Sequence, residues 1–141
     1  MKHRNIMVLV AAFLALAATR AEAFIIVNYG QSIGITFGQT ARLNFANIGE
    51  VNGIIINYRI IDADGVTLAQ SERPLTIPLG RIVSVDLDRD TLPRTDPRIQ
   101  IRAEFEVPTR GDLSNLRTSL EVFDNATGKT TVGFIEPPDP D

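Results

Sequence analysis

RIQIRAEFEV, residues Arg98–Val107, alternates without a break: Ile99, Ile101, Ala103, Phe105 and Val107 fall between Arg98, Gln100, Arg102, Glu104 and Glu106. A period of two sends successive side chains to opposite faces of an extended chain, so one face is set for burial and the other for water. The same pattern recurs in ARLNF (Ala41, Leu43, Phe45 inward), IVSVDLD (Val83, Val85, Leu87 inward), SLEV (Leu120, Val122 inward) and TTVGF (Thr130, Val132, Phe134 inward). Turn-forming residues separate these runs at Gly38-Gln39, Asn47 to Gly53, Asp62-Ala63-Asp64-Gly65, Pro78-Leu79-Gly80, DRDTLPRTDPR and PTRGDLSN. Short alternating runs with punctuation about every ten residues predict an all-β protein: a single antiparallel sandwich, immunoglobulin-like, of about seven to nine strands.

Residues 1–23 do not belong to that pattern. Lys2, His3 and Arg4 precede an apolar run from Ile6 to Ala18, and Ala21-Glu22-Ala23 follows. This predicts a secretory signal cleaved before Phe24, and the run is shorter than the roughly 20 residues of a spanning helix. The expected products are a sandwich over 24–135 and a disordered, acidic, proline-rich tail over 136–141. Export to the periplasm, cell surface or medium follows, with no membrane span after cleavage.

The signal takes with it Lys2, Arg4 and Arg20 of the 14 Lys and Arg, and Glu22 of the 17 Asp and Glu, leaving 11 against 16 and a net charge of −5. No basic tract remains, which argues against nucleic acid as a partner. The exported part also holds no His and no Cys, since His3 is the chain's one histidine. That inventory excludes Ser-His-Asp and Cys-His catalysis, zinc sites built on His or Cys, and disulfides. No cofactor is expected.

Several strings imitate functional motifs. Gly128-Lys129-Thr130 reads like the end of a phosphate loop, but Phe123 stands where the first glycine is needed and a strand pattern follows in place of a helix. Asp124 to Gly128 is therefore expected to be a hairpin loop closed by Gly128. Asp86, Asp88 and Asp90 have the spacing of a calcium loop's start, with Asp62 and Asp64 as further ligands, yet Thr91 and Pro97 replace the glycine and glutamate such a loop requires. The plainer expectation is that Asp86 and Asp88 face outward at a strand end and Asp90 caps the next turn. Glu104 and Glu106 share a face and could serve as a hydrolase pair, but Arg98 and Arg102 lie on that face too, which suits an ion-paired surface better. Arg110-Gly111-Asp112 falls in an inter-strand loop and is read as a turn.

GQTARLN (Gly38–Asn44), DADG (Asp62–Gly65) and LEVFDNATGKTTV (Leu120–Val132) resemble segments of small exported bacterial proteins with immunoglobulin-like sandwich domains and no assigned activity. The resemblance implies a fold and an address, and transfers no catalytic residue.

The remaining anomaly is IIINYRII, residues 54–61. Ile54, Ile56, Tyr58 and Ile60 share one face, and Ile55 and Ile61 join Asn57 and Arg59 on the other, which is too apolar for simple exposure. A related string, IIVNYG, opens the exported chain at Ile25. The plain reading is a central strand whose outer face is covered by a loop and a first strand that happens to look similar; the sharper one is an interaction surface of Ile25, Ile26, Tyr29, Ile55, Asn57, Arg59 and Ile61, meeting a protein partner or a second copy. The function that follows is a non-catalytic exported binding or structural module; the alternative is a self-associating subunit using 54–61 or 24–29.

Overall fold

Alternation becomes two antiparallel sheets packed face to face. The computed structural model describes residues 25–28 and 32–136; the expected signal, Tyr29 and residues 137–141 lie outside them. In chain order the strands are β1 (Ile25–Asn28), β2 (Ile33–Thr36), β3 (Gln39–Asn47), β4 (Gly53–Asp62), β5 (Thr67–Gln70), β6 (Leu75–Pro78), β7 (Ile82–Asp88), β8 (Arg98–Val107), β9 (Leu116–Asp124) and β10 (Thr130–Glu136). The larger sheet runs β1-β8-β4-β5, with β2 also on β8 and β6 also on β4; the smaller runs β10-β9-β3-β7.

Ten strands exceed the expected seven to nine because both edges of the larger sheet are broken. β1 and β2 pair with successive halves of β8, and β5 and β6 with successive halves of β4. Each sheet is therefore four rows wide. β10 includes Glu136, which the sequence reading assigns to the tail.

RIQIRAEFEV is β8, at the centre of the larger sheet, and its five apolar residues are all buried. They meet Ala41, Leu43 and Phe45 of β3 and Leu120 and Val122 of β9 in one core. Phe45 crosses the gap between layers, edge-on to Phe105 with centroids 5.7 Å apart and tilted against Tyr58 at 6.3 Å. Burial of Tyr58 raises the pKa of its phenol. Thr130, expected inward, is exposed, because the β9–β10 register slips between Thr130 and Val132.

Asp124 to Gly128 forms the expected hairpin between β9 and β10. Gly128 has φ 67°, and its N–H donates to the Asp124 carbonyl at 2.8 Å. Asp124 Oδ1 accepts from the Thr127 N–H and hydroxyl and the Ala126 N–H, which holds its pKa below the ordinary carboxylate value.

Arg110-Gly111-Asp112 is no loop. It opens a short helix, α1 (Arg110–Asn115), in which Thr109 Oγ1 accepts from the Asp112 N–H and donates to its carboxylate. This reciprocal cap, spaced T-x-x-D, is the local signal that the reading of Gly111 as a turn residue passes over.

Candidate functional site

The contrast between the two outer faces of the sandwich is what isolates a site. On the smaller sheet the polar side chains around Arg42 and Asn44 on the outer face are paired with one another. Arg42 grips Asp86 through both Nε and Nη2 at 2.7 Å, which raises the arginine's pKa further, and its guanidinium lies 4.9 Å from the Phe123 ring. Asn44 donates to Ser119 and Glu121 and accepts from Ser84.

The outer face of the larger sheet is different. Register places Ile26, Glu106 and Asn57 in one transverse row and Glu104, Arg59 and Gln70 in the next. Ile55, opposite Thr76, continues the same face of β4. Arg59 Nε donates to Glu104 Oε2, and Arg102 stands 3.7 Å from the other carboxylate oxygen. Glu104 is only 5% exposed although it faces outward. Arg59 keeps half its side chain in solvent, and its Nη groups have no protein partner among the described residues.

Ile26, Asn57, Arg59, Gln70, Glu104 and Glu106 line a concavity of about 230 Å³. Small-molecule sites typically hold roughly 300–1,000 Å³. The depression suits one or two side chains of a partner better than a whole ligand. Ile26 (58% exposed) and Ile55 (47%) provide apolar contact on this face.

Of the seven residues expected to form an interaction surface, the structure thus gathers Ile26, Ile55, Asn57 and Arg59. Two are corrected. Ile25 lies opposite Val107 and packs on the core, because alternation turns it inward when Ile26 faces out. Ile61 is 3% exposed; β5 slips register beside it, between Ile60 and Ile61, where the extra residue Leu68 makes a bulge that sharpens local twist. Tyr29 lies outside the described residues.

The aspartates spaced like a calcium loop are occupied separately. Asp86 belongs to Arg42. Asp88, and not Asp90, caps the 3-10 turn Arg89–Thr91, accepting from the Asp90 N–H at 3.0 Å and from Asn125 Nδ2 at 3.2 Å. Asp90 instead accepts from the Gly38 N–H across the fold. Asp62 is buried: Oδ1 accepts from Asp64 and Val66 N–H groups, and Oδ2 takes Arg94. Among the described residues no three acidic or imidazole side chains gather as a metal site.

Sequence reasoning missed Arg89. It is fully buried, donates through Nη2 to the Arg94 and Asp96 carbonyls, and has its guanidinium 4.1 Å from the Phe37 ring, while Nε and Nη1 lack protein partners. Nothing in DRDT distinguishes it from an exposed turn arginine. No protein-family model matches the chain, and no curated protein matches it significantly.

Proposed function

We propose that the protein is a non-catalytic, exported binding module that receives a protein partner on the outer face of its larger sheet. The observation that carries this reading is an exposed apolar side chain, Ile26, beside the half-exposed Arg59 at one shallow concavity, with the exposed Ile55 further along the same face of β4. Arg59, with Nε committed to Glu104, offers its Nη groups to a carboxylate or a backbone carbonyl. Charged anchors beside apolar contact area are the usual makings of an interface core.

Export is supported by the residue order of 1–23, and a non-catalytic role by the absence of His and Cys from residues 24–141. Two four-row antiparallel layers are compatible with the immunoglobulin-like type that the quoted segments resemble. Self-association through 54–61 or 24–29, the alternative, is left with Ile26 and Ile55 as its contacts.

The test is capture from an envelope fraction by wild type and by Ile26→Asp and Ile55→Asp, each checked for an unchanged melting temperature. The reading expects a specific polypeptide that both variants lose. Retention by both, or turnover of a substrate abolished by Glu104→Gln, would end it.

A further inference from the structure

Among the described residues the sandwich has four lateral edges, and three are irregular. One edge of the larger sheet is made of the short β1 and β2, whose register on β8 shifts by two residues between Asn28↔Glu104 and Ile33↔Ile101; the other breaks between Gln70 and Leu75, across Pro74. On the smaller sheet, β10 carries a register shift. Short strands, prolines and bulges are the devices by which edges are kept from pairing with other chains.

β7 has none of them. Its seven residues, IVSVDLD, contain no Pro, Lys or Arg and pair with β3 in unbroken register from Ala46↔Ile82 to Thr40↔Asp88. Among the described residues no strand lies on its other side. The core is also open there: Val83 and Val85 point inward yet are only half-buried, and on the outer face of the same strand Ile82 is 67% exposed.

We propose that β7 is a self-association seam at which two copies of this chain pair antiparallel about a two-fold axis through Val85. This centring sets Val83 against Leu87 and Val85 against its own copy, so the inner apolar row runs on across the seam. It sets Ser84 against Asp86 and Ile82 against Asp88, so no carboxylate faces another. Asp86 is moreover neutralised by Arg42 within each copy. Like charges directly opposite would oppose pairing, and this register avoids them.

A seven-residue seam is about 24 Å long, and its contact area falls short of the roughly 800 Å² per partner of a standard interface. A weak, concentration-dependent dimer is therefore expected. It does not depend on the outer-face site.

The chain has no cysteine, which gives a direct test. Residues directly opposite in an antiparallel pair have Cα atoms about 4.5–5.5 Å apart, within disulfide reach. Val85→Cys under mild oxidation is expected to form a covalent dimer at least tenfold faster than Ser84→Cys or Ile26→Cys, with an unchanged melting temperature for the reduced protein. The wild type should show, by sedimentation equilibrium, a mass rising toward twice the monomer between about 10 and 500 µM. Equal crosslinking rates, preferential crosslinking at Ile26→Cys, or a monomeric mass throughout that range would each overturn the proposal.

Discussion

The ion pair at the centre of the outer face offers a quantitative test of whether that face is shaped before a partner arrives. Arg59 and Glu104 stand opposite each other on β4 and β8. Their side chains are 53% and 7% exposed, respectively. Fully exposed pairs contribute about 0.2–1 kcal/mol, and breaking a buried pair costs about 3–5 kcal/mol. A pair with one enclosed member belongs between those limits. Arg59→Met leaves the enclosed carboxylate with only Arg102, 3.7 Å away, and is expected to cost about 2 kcal/mol. Glu104→Gln keeps an acceptor for the guanidinium and should cost about 1 kcal/mol. Once both charges are gone no enclosed charge is left without its partner, so the double variant should cost about 1.5 kcal/mol, a coupling of about 1.5 kcal/mol. Urea denaturation of all four proteins measures the cycle, and in melting temperature the Arg59→Met loss is about 8 °C. A coupling under about 0.3 kcal/mol, the error of additivity, would mean that the pair behaves as a loose surface contact and that no anchor is held in place.

Three further outcomes are expected. Asp62→Asn keeps an acceptor for the Asp64 and Val66 N–H groups and should cost about 1 kcal/mol, whereas Asp62→Ala should cost about 3 kcal/mol; equal losses in chemical denaturation would assign the effect to Arg94 alone. Asp124 has its folded pKa lowered by Thr127, so its contribution is present above the unfolded carboxyl's titration range and is lost as pH falls through the folded value. The Ala126 and Thr127 amide signals should therefore titrate below the ordinary Asp value, and Thr127→Ala should raise that midpoint; titration at the ordinary value would refute the hydrogen bonds. Arg89→Met preserves bulk and removes the unpartnered Nε and Nη1, so it should cost under about 2 kcal/mol while Arg89→Ala costs about 3 kcal/mol or more; equal losses would mean that the charge over Phe37 matters more than the volume.

What the residues reveal in advance is whatever depends on alternation. β3, β8 and β9 are legible because a two-residue period is enforced by a buried face, and slipping one residue would expose the whole apolar row. The hairpin at Gly128 is legible because a positive φ is cheap only for glycine. Ile61 is misread for a related reason: alternation fixes which side of the pleat a residue takes but not whether that side is covered, and Ile61 is buried where β4 and β5 slip register. Glu104 has the same status, its enclosure arising from Arg59 on β4. Asp88 takes the capping role expected of Asp90 because the 3-10 turn begins at Arg89, directly after β7 ends, which leaves Asp90 to accept from the Gly38 N–H.

The two outer faces show why composition alone could not locate the site. Both carry arginine, carboxylate and amide side chains, so a count of polar residues treats them alike. On the smaller sheet Arg42 spends Nε and Nη2 on one carboxylate and Asn44 is engaged on three sides, so a partner would have to break existing bonds to gain new ones. On the larger sheet Arg59 uses Nε alone, and the same outer face carries the exposed Ile26 and Ile55. A partner there gains hydrogen bonds and apolar burial without that cost, and it is this difference in unspent capacity, more than residue type, that makes one face the candidate.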